Sequence, residues 1–195
     1  IGFTVHAPEL FFGDHILDLT AADDEYCQRS ISELQRVINL TRELNTFFPS
    51  TKIPLIIVNV GGATQDAFIS SEKKTILYNR LLDSLKSLDD TGVEIIPQTM
   101  PPFPWHFGGQ RYHNLFLDPQ EITRFCNNHN YRVCLDISHS YLACNHFNWS
   151  FKEFIEQVGP VTAHLHISDG KSVDDEGLQI GDGDIDFIAL SDWLV

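Results

Sequence analysis

The sequence predicts an α/β fold with parallel strands, and three observations support this. Five short apolar runs alternate with helical patterns of apolar residues along the 195 residues. The ends of these runs lie roughly 30 to 55 residues apart, which is the pace of parallel strands joined by crossover helices. The runs are continuously apolar, as strands are when both faces of a sheet are covered. No linker or low-complexity tract interrupts residues 1–195, so we expect a single domain.

Each predicted strand ends in polar residues or in glycines. The first, IGFTVHAP, ends at His6, and the second, PLIIVNVGG, ends near Val60. The third, GVEIIPQ, ends at Gln98, the fourth, YRVCLDI, at Asp136, and the fifth, VTAHLHISD, at His166. The carboxyl ends of parallel strands form the functional edge of α/β folds, so a site is expected there.

Helices are predicted between the strands, where apolar residues recur three and four positions apart. These segments cover residues 24–44, 76–88, 118–128 and 151–158. Asp118 is the expected N-cap of the third helix, with Pro119 at its first helical position. Ser150 and Glu153 form a capping box for the fourth helix, and Asp186 is expected to cap a final one.

The overall charge and the cysteines exclude several classes of protein. Lys and Arg number 13 against 27 Asp and Glu, a formal net charge of −14, which disfavours nucleic acid and anionic membrane surfaces as partners. No apolar run approaches the ~20 residues that span a bilayer. The four cysteines lack CxxC spacing and Cys134 lies within an apolar strand, so we expect no disulfide framework and a cytoplasmic location.

The polar strand ends suggest a metal or catalytic site. Asp136 and His166 end two strands, and His139 follows Asp136 by three residues, a combination of carboxylate and imidazole that suits a divalent cation such as Mn, Zn, Co or Mg. His164 and His166 should share one face of their strand. Simpler roles stay open, since a strand histidine is often a core residue and Asp136 is also placed to cap a helix.

The five strands suit either an open doubly wound sheet or part of a barrel. The segment GGATQD after the second strand is neither GxGxxG nor a phosphate-binding loop, which argues against a nucleotide site.

Four motifs resemble those of the xylose-isomerase-like barrel superfamily: HAPEL, CLDISHS, HLHISDGK and LQIGDGDIDF. That superfamily contains sugar isomerases and epimerases and the apurinic-site endonucleases. The resemblance implies a (β/α)8 TIM barrel with a divalent metal at its carboxyl face. It also implies that this chain runs from about strand 3 to strand 7, so that the barrel is incomplete.

The resemblance assigns the metal ligands and the catalytic groups. Asp136 and His166 match metal ligands, and Gln98 stands where the family usually has a metal-binding Glu. His139 matches the histidine that contacts substrate in the isomerases. Glu176 is the acid expected to replace in part a missing catalytic carboxylate.

Two further side chains are assigned to substrate binding. His6 matches a third-strand histidine that faces the site, and Asp169, which lies just beyond the fifth strand, is expected to contact substrate.

Several departures from the family pattern bear on function. Gln98 is neutral, and glycines stand in NVGG and at Gly177 where the endonucleases place metal-binding histidines. With the charge of −14, these losses argue against a DNA-cleaving site with three metals, whereas an isomerase needs one.

The segment MPPFPWHFGGQRYHN, residues 100–114, is predicted to be a substrate lid. Its prolines stiffen the chain, and Phe103 and Trp105 would form an apolar wall over a sugar ring. His106 or Arg111 would reach a hydroxyl, phosphate or carboxylate, since Arg suits bidentate contact with anions. The alternative is that the aromatic side chains only pack this loop onto the barrel.

The sequence therefore predicts a divalent-metal-dependent sugar or sugar-phosphate isomerase or epimerase, which moves a proton next to a carbonyl. A small-molecule sugar or sugar phosphate is the expected partner, and a homo-oligomer stays open. One alternative is a metal-dependent hydrolase or lyase on the same scaffold. The other, prompted by Gln98, is a sugar-binding module without metal or catalysis.

Overall fold

Parallel strands organise both structural units of the chain in the computed structural model, which describes residues 2–106 and 109–194. The first unit comprises the residues up to Gly62 together with Ser70–Pro97. The second comprises Ala63–Ile69 together with the residues from Gln98 onward. The expectation of a single domain over residues 1–195 stays a prediction.

The first unit contains a three-stranded parallel sheet with two long helices. Its elements are β1 (Val5–His6), β2 (Leu10–Phe11), β3 (His15–Ile16), α1 (Asp24–Asn45), β4 (Leu55–Val58), α2 (Ser71–Lys86) and β5 (Glu94–Pro97). The sheet has the order β1-β4-β5, with Val5 opposite Ile56 and Ile57 opposite Ile96. Strands β2 and β3 form a small antiparallel hairpin that the sequence pattern did not predict.

Apolar stripes on the two helices build the core of this unit, as their spacing predicts. Leu34 and Ile38 of α1 and Leu81 and Leu85 of α2 are buried. Ile76 belongs to the apolar pattern that predicted the helix over residues 76–88, but it is 64% exposed, so its expected place in the buried stripe of α2 is wrong. The two residues of each helix are four positions apart, so they lie on the same side of that helix and mark its buried face.

The second unit combines a parallel strand pair with helices and two hairpins. Its elements are β6 (Trp105–His106), β7 (Gly109–Gln110), α3 (Pro119–His129), β8 (Val133–Asp136), α4 (Ile137–Phe147), α5 (Phe151–Val158), β9 (Thr162–His166), β10 (Asp169–Lys171), β11 (Asp175–Leu178) and α6 (Phe187–Trp193). Strands β8 and β9 are parallel, β6 pairs with β7, and β10 pairs with β11. Within the described ranges the strands form no closed barrel, in line with the incomplete barrel that was predicted.

The predicted helix starts are confirmed by their capping bonds. The Asp118 carboxylate accepts hydrogen bonds from two backbone amides at the start of α3. Ser150 Oγ accepts the Glu153 amide at the start of α5, and Asp186 caps α6 in the same way. These residues satisfy amides that have no partner inside their helix.

All four cysteines are buried and free. Burial raises the pKa of three of these thiols to about 12, namely those of Cys126, Cys134 and Cys144. The expectation of no disulfide framework is confirmed.

In the part of the chain that the structure describes, no helix has both the length and the apolar character needed to cross a membrane.

Candidate functional site

Gln98, Asp136 and His166, all residues of the second unit, lie side by side at one edge. Asp136 is the register partner of His166 in the β8–β9 pair. On the other side of β8, Gln98 forms a parallel bridge to Cys134, and the Thr99 amide donates to the Cys134 carbonyl oxygen at 3.0 Å. Parallel pairing therefore places these polar ends together, because strands that run the same way end at the same edge.

The Asp136 carboxylate has two functions, one for each oxygen. Its Oδ1 accepts the His139 amide at 3.0 Å and the Ser138 hydroxyl at 3.0 Å, which makes it the N-cap of α4. Its Oδ2 accepts the Gln98 side-chain amide at 3.1 Å and lies 3.4 Å from Nδ1 of His166. The capping role that the sequence left open is thus present, and the second oxygen still faces the site.

The pKa of Asp136 is lowered despite its burial. Burial is the largest single influence and acts to raise the pKa. It is outweighed by the hydrogen bond from His166, by the charge of His139 and by the bonds from the His139 amide and Ser138. Asp136 is therefore held as a carboxylate, the form that can accept four hydrogen bonds or bind a cation.

The two ring nitrogens of His139 face different partners. Nδ1 lies 2.9 Å from the Thr99 carbonyl oxygen, which can only accept, so this nitrogen carries a proton. The contact of 3.3 Å between this Nδ1 and Nε2 of Gln98 is then not a hydrogen bond. The other nitrogen, Nε2, lies 3.4 Å from Oε2 of Glu176. The backbone thus fixes the ring so that Nε2 is the nitrogen presented to an acid.

Glu176 reaches this position because the β10–β11 hairpin lies against α4. Gly170 in β10 has no room for a side chain, since a Cβ atom there would lie 2.8 Å from Leu142. Asn145 of α4 donates to the Ser172 carbonyl oxygen at 2.7 Å, close to the tip of the hairpin. The Glu176 side chain stays 39% exposed, against 15% for His139, so a ligand could reach its carboxylate from solvent.

Asp169 is an anchor for the GDGDID turn. Its carboxylate accepts four backbone amides at 2.9 to 3.1 Å, namely those of Gly170, Gly181, Gly183 and Ile185. These bonds outweigh burial, the largest influence, and lower the pKa of the carboxyl. Because four bonds fill the acceptor positions of a carboxylate, the geometry gives the predicted contact with substrate no support.

In the predicted lid, residues 100–114, β6 and β7 pair as antiparallel strands, and residues 107 and 108 lie outside the described part of the chain. Trp105 pairs with Gln110, and the Arg111 amide donates to the Pro104 carbonyl oxygen at 2.9 Å. Phe103 packs with Phe68, Tyr112 and His146 at centroid distances between 4.7 and 5.7 Å, and Phe147 packs on Phe68 and His146. Phe103 therefore packs against other rings, as the alternative to a lid predicted. The Trp105 side chain is 69% exposed and does not fit that alternative.

The remaining predicted residues lie in several places. His6 ends β1 in the first unit, with its Nδ1 2.9 Å from the Ala7 carbonyl oxygen. His106 and Arg111 are half-buried on the hairpin. The His164 and His166 rings lie 5.4 Å apart on one face of β9, as the alternation predicted, and burial, followed by the charge of His166, lowers the pKa of His164.

Thr99 is a site residue that the sequence pattern did not reveal. Its carbonyl oxygen orients His139, and its hydroxyl accepts the Asp136 amide at 2.9 Å and lies 3.0 Å from the Ser140 hydroxyl. The feature of the sequence that could have identified Thr99 as a site residue is its position directly after Gln98, at the end of a predicted strand.

A divalent cation would find a limited set of ligands here. Among residues 2–106 and 109–194, no group of three or more His, Cys, Asp or Glu side chains is arranged to hold a metal. Asp136 and His166 approach within 3.4 Å, and Gln98 is the third side chain beside them. A carboxylate, an imidazole and an amide oxygen all suit a divalent cation, provided that Gln98 presents Oε1 in place of Nε2.

The fold and site define an α/β protein with a polar site at the carboxyl ends of parallel strands. Residues 1–195 match the profile of a family described as xylose isomerase-like TIM barrel, and the chain belongs to that family. The resemblance and the fold class inferred from the motifs are thereby confirmed.

Solved structures with the same fold include an epimerase and an epimerase-like protein. A D-tagatose 3-epimerase-like protein aligns with a TM-score of 0.70 and 22% identity, over all of this chain and 66% of that one. An L-ribulose 3-epimerase aligns with a TM-score of 0.62 and 19% identity, over 91% of this chain and 54% of that one.

More distant relatives include a nuclease. Endonuclease IV from Thermus thermophilus aligns with a TM-score of 0.55 and 13% identity, over 92% of this chain and 59% of that one. An uncharacterized protein of Methanocaldococcus jannaschii is 28% identical over 120 residues, which are 60% of this chain and 38% of that protein. This chain spans at most 66% of the length of these four relatives.

Proposed function

We propose that this chain is part of a sugar or sugar-phosphate isomerase or epimerase that works with one divalent cation. The observation that carries the proposal is the pair formed by His139 and Glu176, with Nε2 and Oε2 3.4 Å apart beside the Asp136 carboxylate. An exposed carboxylate next to an oriented imidazole is a suitable proton-transfer group.

In the proposed reaction, Glu176 exchanges a proton with the carbon atom adjacent to the substrate carbonyl. With both ring nitrogens protonated, His139 pairs with that carboxylate through Nε2, and in the neutral ring Nε2 can accept a substrate hydroxyl. The Thr99 carbonyl oxygen accepts from Nδ1 and keeps the ring in place. A divalent cation held by Asp136, His166 and Gln98 would supply Lewis-acid polarisation of the carbonyl.

The names of similar proteins support a sugar substrate. Structures with TM-scores of 0.70, 0.62 and 0.57 are titled as a D-tagatose 3-epimerase-like protein, an L-ribulose 3-epimerase and a D-allulose 3-epimerase in complex with D-allulose. With identities of 22% or less, the likeness extends to the fold, so the reaction rests on the site geometry.

Solvent deuterium exchange tests the proposal. Full-length protein is incubated with Mn²⁺ in D₂O with a panel of ketoses and their phosphates, and mass spectrometry follows the incorporation of one deuteron next to the carbonyl. We expect exchange with at least one substrate and its loss in Glu176→Gln. No exchange with any member of the panel would contradict the proposal.

A second candidate is a sugar-binding module without catalysis. It is favoured by the bond from Gln98 to Asp136, because the Asp136 carboxylate already has a partner at each acceptor position without a cation. Sugar binding that is insensitive to EDTA, together with no deuterium exchange, would favour this candidate over the isomerase.

A further inference from the structure

Two serines stand at equivalent places beyond the paired ends of β8 and β9. Asp136 and His166 are register partners in that pair, and Ser138 and Ser168 each follow two residues later. The two serine hydroxyl oxygens lie 3.0 Å apart. This contact joins the first turn of α4 to the segment that connects β9 with β10.

The two hydroxyl groups form a chain of hydrogen bonds with one direction. Ser138 Oγ donates its single proton to Oδ1 of Asp136 at 3.0 Å, because a carboxylate only accepts. The contact with Ser168 therefore uses a lone pair of Ser138, and Ser168 is the donor. Asp136 Oδ1 is thus the last acceptor of a chain that begins beyond β9, while Oδ2 faces Gln98 and His166.

The chain of bonds is sheltered from water where it meets the carboxylate. Ser138 and Asp136 are buried, and Ser168 is half-buried. A hydroxyl that donates to a charged acceptor makes a strong bond, and a buried setting strengthens it further. The Asp136 side chain is therefore restrained through Oδ1, which leaves the direction of Oδ2 fixed.

The backbone segments that carry the two serines diverge directly after the strand pair. Helix α4 begins at Ile137, whereas the chain after His166 continues into the β10–β11 hairpin. Ile167, the residue between His166 and Ser168, is exposed. The bond from Ser168 is therefore placed to keep His166 beside Asp136 at the point where strand pairing ends.

The backbone that follows Ser168 is held close to α4. The neighbouring Asp169 carboxylate accepts four backbone amides, and an added Cβ atom at Gly170 would lie 3.5 Å from Cβ of Ser138. Because this backbone is already ordered, the bond from Ser168 to Ser138 costs little further conformational entropy.

Capping of the helix accounts for Ser138 alone. Ser138 stands in the first turn of α4, beside the Asp136 carboxylate that caps this helix. A cap needs no partner from another element, yet Ser168 supplies one from beyond β9. Ser168 is thus the residue whose removal separates an effect on the site from an effect on the helix start.

We propose that Ser168 is a positioning residue of the candidate cation site, which through Ser138 holds Asp136 and His166 in place as ligands. The inference rests on the proposed function and deepens it, because it adds a residue that acts on the cation through Asp136. Removing the hydrogen-bond partner of a metal ligand typically weakens metal binding about tenfold to a hundredfold.

Calorimetric titration of Mn²⁺ into the full-length protein tests the proposal. We expect Ser168→Ala to weaken Mn²⁺ binding about tenfold or more. Ser168→Thr, which retains the hydroxyl, should bind Mn²⁺ as the wild type does. Ser191→Ala removes an exposed hydroxyl from α6 and is the matched control, also with wild-type affinity. Urea unfolding of each variant verifies that it is folded.

A double-mutant cycle shows whether Ser168 acts through Ser138. Ser138→Ala should weaken Mn²⁺ binding at least as much as Ser168→Ala does. Adding Ser168→Ala to Ser138→Ala should then have no further effect, because the chain of bonds is already broken. Unchanged affinity in Ser168→Ala, equal losses in Ser168→Ala and Ser168→Thr, or additive losses in the double variant would overturn the proposal.

The outcomes separate this inference from the proposed function. Deuterium exchange together with Mn²⁺ affinity that is independent of Ser168 would leave the isomerase standing and remove the positioning role. Mn²⁺ affinity that depends on both serines, without any deuterium exchange, would do the reverse. A wild-type protein that binds no Mn²⁺ would overturn both.

Discussion

His139 connects the backbone of one strand end to an acid on a distant hairpin. Its Nδ1 lies 2.9 Å from the Thr99 carbonyl oxygen, and its Nε2 lies 3.4 Å from Oε2 of Glu176. The first contact places the proton of the neutral ring on Nδ1, so Nε2 bonds to Glu176 only when Nε2 or the carboxyl group carries a further proton.

Replacing Glu176 with Gln should reduce the rate of deuterium exchange roughly a hundredfold to ten-thousandfold, the usual range for a lost acid–base group. KM should change little, because the amide retains the size of the side chain. Steady-state kinetics of the full-length protein measure both quantities. Asp174→Asn, an exposed position on the same hairpin, should behave as wild type. An active Glu176→Gln enzyme would remove Glu176 from the proton-transfer step.

Gln98→Glu should strengthen the binding of Mn²⁺ at least about tenfold, because a second carboxylate joins Asp136 and His166 as a ligand. Calorimetric titration of the metal measures this change, and thermal unfolding with Mn²⁺ should show a larger rise in Tm. Gln120→Glu adds the same charge at an exposed position of α3 and should leave the affinity unchanged. If the two variants bind Mn²⁺ equally, position 98 is not part of a metal site.

Asp169→Asn should lower the free energy of unfolding by about 3 kcal/mol, since four backbone amides lose a charged acceptor. The folded state lowers the pKa of Asp169, so this contribution is present above the ordinary carboxyl pKa and is lost as the pH falls through the lower folded value. Urea unfolding measures the change, with Asp182→Asn in the same turn as the control. A loss below about 1 kcal/mol would contradict the anchoring role.

His113 should make the protein less stable in mild acid. The unfolded chain takes up a proton near the ordinary pKa of 6.5, whereas the folded chain does so only near about 3. The unfolded state therefore binds more protons between these values, and the free energy of unfolding falls as the pH drops below about 6.5.

The test compares urea unfolding of wild type and His113→Leu. Between about pH 7 and about pH 5, the variant should lose about 2 kcal/mol less stability than wild type. His129→Gln, which changes an exposed histidine of α3, is the matched control. Parallel pH profiles for all three proteins would show that His113 titrates normally in the folded state.

Local signals in the sequence were sufficient for most elements of this fold. The caps at Asp118, Ser150 and Asp186 mark helix starts because their side chains bond amides only two or three residues away. Helix α4 was not predicted, although its cap, Asp136, was recognised as a candidate. The helix has little amphipathic pattern, since residues on most of its sides are buried.

The small hairpins also escaped prediction. Strands β2 and β3, β6 and β7, and β10 and β11 have two to four residues each, too few to show an alternating pattern. The hairpin β10–β11 nevertheless carries Glu176, one of the two side chains of the proposed proton-transfer pair.

The sequence by itself determined the α/β class, the family and the strand ends at which Gln98, Asp136 and His166 stand, because these follow from periodicity and from motifs a few residues long. Only the tertiary structure decided which polar side chains meet. It directed Glu176 to His139 and enclosed Asp169 among four backbone amides. These contacts, apart from the one with the neighbouring Gly170 amide, join residues 12 to 37 positions apart. Strand pairing and hairpin packing create such contacts, and a sequence pattern a few residues long cannot predict them.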